Sequence, residues 1–162
     1  MSLDHGRRQA FDTLINAYAV PMQRLCAVYA ASPSDREDLF QEIFLAVWRA
    51  LPAFRRDSSE RTWLYRIAHN VALTWQARHR RRQSRETVLD GGAHPSVETD
   101  LRRLDLHRAI AAMSAGDRTL TLLWLEGLSA VEIEQVTGVK AGTVAVRLGR
   151  IRKQLAPAEV KV

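Results

Sequence analysis

Apolar positions along this 162-residue chain recur at helical spacing almost from the start. Phe11, Leu14, Ile15, Tyr18, Met22, Leu25, Cys26 and Tyr29 keep intervals of three and four, a single stripe about five turns long. Pro21 interrupts that stripe, and a proline inside a helix is expected to kink or divide it. A second helix is predicted to open at Ser34, with Glu37 at capping-box spacing and Asp35 and Asp38 at the positive end of the helix dipole. Its apolar face is Leu39, Phe40, Ile43, Phe44, Val47, Trp48 and Leu51, and Pro52 stops it. After the polar loop Arg55–Ser59, a third helix carries Trp63, Leu64, Ile67, Ala68, Val71, Ala72 and Trp75 into a run of arginines.

The pattern then breaks. Residues 83–100 have no helical period and contain Gly91, Gly92 and Pro95, which marks a flexible linker. Beyond it, Leu101, Leu104, Ile110 and Met113 mark one short amphipathic helix, and Leu120, Leu123 and Trp124 a second that Gly127 closes. Ser129 and Glu132 form another capping-box pair, Gly138 supplies a turn, and Val144, Leu148, Ile151 and Leu155 mark the last helix. No alternating, strand-like run occurs. The expected fold is all-α: two small helical domains, 7–82 and 101–156, joined by the linker 83–100.

Composition narrows the chemistry. A hydrophobic fraction of 46% supports a real core. The lone Cys26 can make no internal disulfide and favours a reducing cytoplasm, and no run of eighteen apolar residues suggests a membrane span. The five histidines are scattered, no Walker-type loop or GxSxG occurs, and Cys26 sits on an apolar stripe. We therefore expect a cytoplasmic protein that is not an enzyme and that needs neither a metal nor a cofactor.

The net charge of +6 becomes informative once it is placed along the chain. Arg78, Arg80, Arg81, Arg82 and Arg85 form one basic block behind Trp63, Tyr65 and Trp75. Cations neutralise phosphates and aromatics stack on unpaired bases, although tryptophans at helical spacing are more often core residues. Lys140, Arg147, Arg150, Arg152 and Lys153 form a second block without an acid, on a helix that follows a capped helix and a tight Gly138 turn, the pattern of a DNA-binding helix-turn-helix. Between the blocks the linker is acidic. Ahead of them, Asp38 and Glu42 share one side of a helix, an arrangement that suits either helix-end electrostatics or docking to a basic protein surface.

Three stretches in order carry a family resemblance. They are Asp35-Arg-Glu-Asp-Leu-Phe-Gln-Glu-Ile-Phe-Leu-Ala-Val-Trp-Arg49, then Arg61-Thr-Trp-Leu-Tyr-Arg-Ile-Ala-His-Asn70 with the arginine run, and finally Leu128-Ser-Ala-Val-Glu-Ile-Glu-Gln-Val-Thr-Gly-Val-Lys-Ala-Gly-Thr-Val144. The first two together resemble region 2 of a bacterial sigma factor, and the third resembles region 4. Two such regions with a short linker resemble the small extracytoplasmic-function (ECF) group. The resemblance implies a subunit that directs core RNA polymerase to promoters and melts them, with core polymerase, promoter DNA and an anti-sigma factor as partners.

It also implies roles for particular residues. Asp38, Gln41, Glu42 and Phe44 become core-polymerase contacts. Trp63, Tyr65 and Asn70 would capture unstacked −10 bases, with Arg78, Arg80, Arg81 and Arg82 on the phosphates. Thr143, Ala145, Val146, Arg147, Gly149 and Arg150 would face the −35 element. Four positions depart from the family pattern: Glu60 in the base-capturing loop, Ala145, Val146 and Gly149 on the −35 helix. Glu134 also stands where a small residue is usual. A polymerase-independent helix-turn-helix regulator and a sigma-like decoy that sequesters an anti-sigma factor remain as alternatives.

Overall fold

The computed structural model describes residues 2–86, 109–110 and 112–155, and the side chains of 5–84 within the first stretch. Six helices and one 3₁₀ turn are complete among them. These are α1 (Ser2–Tyr29), α2 (Pro33–Ala50), the turn Leu51–Ala53, α3 (Glu60–Glu86), α4 (Ala115–Leu125), α5 (Ala130–Thr137) and α6 (Ala141–Leu155). No strand occurs among the described residues. The expected all-α fold is the one observed.

Helices α1, α2 and α3 pack on one another, and α4, α5 and α6 do the same. Each helix turns one apolar stripe inward: Leu14, Met22 and Leu25 from α1, Leu39, Ile43 and Val47 from α2, Leu64, Ala68 and Ala72 from α3. In the second group Leu120, Leu123, Ile133, Val136, Val144, Leu148 and Ile151 are buried. The two groups also meet. α4 rests on α1 and α5 rests on α3, so the buried side chains of both form one continuous cluster.

Local signals set most of the boundaries. Ser129 and Glu132 form the full capping box at α5, each side chain bonded to the other's backbone N–H. Gly127 and Gly138 take φ of +85° and +77°, the left-handed conformation that ends α4 and α5 and that only glycine adopts without strain. Ser114 caps α4 by accepting from the Asp117 N–H.

Three local expectations need correction. α1 runs through Pro21 as one helix, because proline forfeits a single backbone bond while Met22, Leu25 and Cys26 just beyond it are fully buried. α2 is capped by Ser32, whose hydroxyl accepts from Asp35 N–H; Ser34 lies inside the first turn because Pro33 takes the first helical position, where its missing N–H costs nothing. α3 continues past the arginines to Glu86, so 83–86 are helical. The remainder of the expected linker, with Leu101 and Leu104, lies outside the described residues.

Candidate nucleic-acid interface

Facing sides of α2 and α3, apolar at their centre and charged at their rims, line an open groove of about 550 Å³. Its walls are Glu42, Leu45, Ala46 and Arg49 from α2 and Asn70, Val71, Thr74 and Arg78 from α3. Helical spacing puts Asn70, Thr74 and Arg78 on one face. Glu42 accepts a hydrogen bond from Arg78 at 2.5 Å across the groove. The structure thus brings one residue expected to face polymerase beside two expected to face promoter DNA. Asp38 and Gln41 are exposed on α2. Phe44 is different: it is buried, 4.7 Å from Phe40 and 6.1 Å from Phe11 between ring centres, and belongs to the core. The apolar side chain that α2 does expose is the neighbouring Leu45, at 48%.

On α3 the aromatic candidates are also inside. Trp63 stacks on Phe54 at 4.5 Å, and Tyr65 is 1% exposed. Trp63 is 7% exposed, whereas Asn70, two turns further along α3, is exposed. The exposed residues of α3 include Arg66, Asn70, Leu73, Thr74, Arg78, Arg80, Arg81 and Arg82. Arg80 donates to Gln76 one turn back, and Arg81 and Arg82 extend into solvent. Glu60, read as a carboxylate that would repel phosphate, is the first residue of α3, where the helix dipole favours negative charge.

In the second group α5, the Gly138 turn and α6 form the helix-turn-helix. Val144, Leu148 and Ile151 anchor α6. Thr143, Ala145, Val146 and Arg150 are exposed and Gly149 is half-exposed, whereas Arg147 is turned toward α4. Its guanidinium donates to Asp117 Oδ1 at 2.9 Å from Nε, with Nη2 2.7 Å away, and Arg150 Nη2 donates to Oδ2 at 3.2 Å. Burial pushes the Asp117 carboxyl up, but hydrogen bonds from Arg147 and Ser114 outweigh it and hold the pKa below its ordinary value. Glu134 does not crowd the helix contact. It reaches the start of α6, accepting from Ala141 N–H at 2.8 Å and from Lys140 at 3.1 Å, which lowers its pKa.

The junction between the two groups is polar at its rim and buried at its centre. Glu126 takes Arg24 in a bidentate pair at 2.5 and 2.8 Å. Arg61 donates to the carbonyls of Glu126 and Gly127 and to Glu132, which also accepts from Thr62. Inside, the Tyr29 hydroxyl lies 2.7 Å from His69 Nδ1 and 3.0 Å from Thr119 Oγ1. Burial raises the Tyr29 pKa to about 12 and lowers that of His69. A buried imidazole with a depressed pKa stabilises the fold above its unfolded-state value of about 6.5, and that stability is lost as the pH falls toward the folded value. Thermal melts from pH 7.5 down to pH 5 should therefore show falling stability, with a shallower slope in His69→Gln. An equal slope in the variant would remove His69 as the source.

Cys26 is buried, and burial pushes its thiol up to about 12, so it is a packing group rather than a nucleophile. Among the described residues no cluster of His, Cys, Asp or Glu could hold a metal ion, and no helix is long and apolar enough to cross a membrane.

The geometry can be set beside known proteins. The profile for Sigma-70 region 2 matches residues 14–85 and that for Sigma-70 region 4 matches 103–155. The chain belongs to the ECF sigma factors of the sigma-70 family. The ECF RNA polymerase sigma-E factor of Haemophilus influenzae is 30% identical over 94% of this chain and 89% of its own. That of Escherichia coli is 32% identical over 93% and 86%. Among solved structures, CnrH in complex with the cytosolic domain of CnrY superposes with a TM-score of 0.65 at 24% identity, covering 92% of this chain and 86% of that one. The sigma factor RpoE of Bartonella quintana, in complex with the anti-sigma factor NepR, gives 0.75 at 20% identity, covering 91% and 94%. At these identities the likeness is one of fold.

As an ECF sigma factor the protein carries region 2 on α1–α3 and region 4 on α4–α6. The basic run marked Arg78, and the family resemblance marked Asn70 and the outward positions of α6. Neither gave a role to Arg24, Arg61, Asp117 or Glu126, which matter through partners far away in sequence; Arg24 and Glu126 are 102 positions apart.

Proposed function

We propose that this sigma factor binds core RNA polymerase through α2 and directs it to promoters, with α3 on the −10 element and α6 on the −35 element. The carrying observation is the order and placement of the parts. A carboxylate-bearing α2 and an arginine-bearing α3 share one groove in the first matched region, and a helix-turn-helix whose second helix is flanked by cations occupies the second. Asp38, Gln41, Glu42 and the exposed Leu45 are the polymerase-facing set, with Phe44 supporting α2 from beneath. Asn70 is the base-contacting candidate on α3. Its amide can pair with an adenine edge in two hydrogen bonds, and Arg66, one turn away, adds a cation to the same face. Arg81 and Arg82 act as point charges on phosphates. An anti-sigma factor is the third partner, as it is for the Bartonella relative. The decoy and the polymerase-independent regulator carry no observation of their own.

In the packed arrangement, α5 rests on α3 and α4 on α1. Engagement of two separated promoter elements therefore requires regions 2 and 4 to part, and the Arg24–Glu126 and Arg61–Glu132 pairs oppose that step.

The test is transcription from promoter DNA by core polymerase reconstituted with the purified chain. We expect core binding and promoter-specific initiation. Arg81→Ala with Arg82→Ala should lower promoter affinity about tenfold at moderate salt and reduce the log–log salt slope by roughly two. A chain that binds no core, or a slope unchanged in the double variant, would refute the corresponding part.

A further inference from the structure

The recognition helix carries an unusual division of labour. In a helix-turn-helix, the N-terminal half of the second helix meets base edges and its flanks meet phosphates. Here the outward positions of that half are Gly142, Thr143, Ala145, Val146 and Gly149. None bears an amide or guanidinium; the nearest, Arg150, stands one turn beyond Val146 and already donates to Asp117, so the two-hydrogen-bond pairings with guanine or adenine have no unpaired donor at this centre. The one guanidinium in that half, Arg147, is withdrawn from it. Asp117 holds Arg147 through Nε and Nη2, and the missing side chain at Gly116 makes room, because a Cβ there would stand 3.0 Å from Arg147 Nη2.

What remains outward is apolar. Val146 is 75% exposed, the highest among the exposed large apolar side chains of the described residues. Around Gly142 and Gly149 lies open space, so nothing shields the helix backbone from close approach. Cations frame this centre: Lys140 precedes the helix, and Arg150, Arg152 and Lys153 follow in its C-terminal half. An apolar centre between flanking cations complements a major groove, where phosphates form the rims and the thymine methyl is the apolar feature of the floor.

We infer that Val146 is the specificity-determining residue of the −35 contact, reading thymine methyl groups, and that Arg147 is a strut that sets α6 against α4 rather than a base reader. This rests on the sigma reading above. Thr143 supplies the one hydroxyl in the centre, and the cations hold phosphates without sequence preference. The −35 element of this protein is then read by methyl contact and close backbone approach, with guanine weakly discriminated.

The experiment uses holoenzyme assembled from core polymerase and the full chain, presented with a duplex library randomised across both promoter elements. Bound DNA is sequenced, and the upstream element is then resynthesised with uracil for thymine, which removes only the methyl. We expect thymine enriched at one or more upstream positions. Uracil should weaken binding about fourfold per contacted methyl for the native chain, the value of burying one such group, and less than twofold for Val146→Ala. Val146 is exposed, so that variant should melt like the native protein. Arg147→Gln should melt earlier yet select the same upstream bases.

Guanine enrichment lost in Arg147→Gln would overturn the inference, as would indifference to uracil. A holoenzyme that forms but selects no upstream thymine overturns this inference alone. A chain that binds no core overturns the sigma reading and this inference with it.

Discussion

Tyr65→Ala should destabilise the protein by about 3–5 kcal/mol, the cost of removing a large aromatic side chain from a packed interior. At this chain length that corresponds to a fall of roughly 10 °C in melting temperature. The sigma-factor resemblance placed Tyr65 among residues that capture promoter bases, yet the ring is 1% exposed and sits where α3 meets the second helical group. Its hydroxyl is buried without a well-formed hydrogen bond, and burial together with the neighbouring Glu126 carboxylate drives its pKa upward. An unsatisfied buried hydroxyl contributes little, so Tyr65→Phe should keep or slightly raise the melting temperature. Asn70→Ala is the contrast. Asn70 is exposed, so its loss should leave stability within about 0.5 kcal/mol of the native value while impairing promoter opening. Calorimetry on the three variants checks the assignment. A Tyr65→Ala protein with native stability and defective promoter opening would return Tyr65 to the DNA surface.

Glu126→Lys should part the two helical groups. Glu126 is nearly buried and accepts both arms of the Arg24 guanidinium, and its backbone carbonyl accepts from Arg61. A lysine there loses two charge-assisted bonds and faces Arg24 with like charge. We expect a cost of about 2–3 kcal/mol, below that of a fully buried pair because Arg24 is half-exposed and screened by solvent. That cost falls on the junction rather than on either core. The expected readout is a larger radius of gyration by small-angle scattering, with helical content retained. Arg24→Glu in the same chain restores the opposite signs with their positions exchanged and should recover compactness. An unchanged radius in Glu126→Lys would show that the buried contacts of Tyr29, His69 and Thr119 hold the groups together unaided.

Much of the architecture was legible from spacing. Apolar residues at three- and four-residue intervals marked the stripes of α1, α2, α3 and α6, because one face of each helix must leave water. Ser129, Glu132, Gly127 and Gly138 marked boundaries for the same reason: capping and left-handed turns depend on residues within one turn of each other. Local rules went wrong where two of them competed. Pro21 sits inside α1 because tertiary burial on both sides outweighed one lost backbone bond. Ser32 rather than Ser34 caps α2 because the proline between them settles the first helical position.

Surface roles were less legible. Spacing put Phe44, Trp63 and Tyr65 on the same helices as genuinely exposed residues, but it could not tell which face would meet another helix. Arg147 carried the same charge as Arg150 and lay on the same helix; Asp117, thirty positions from Arg147, pairs with both, yet only Arg147 is drawn inward.

The sequence by itself determined the apolar stripes of the helices, the capping box and glycine turns of the second group, the family and the division of the charge into two basic blocks, since each rests on interactions within a few residues or on a long ordered motif. Only the tertiary structure decided which aromatic rings are interior, which arginines are already paired, and that the two groups share one core. Those depend on side chains brought together from as far as 102 positions apart, where no local period records the partner.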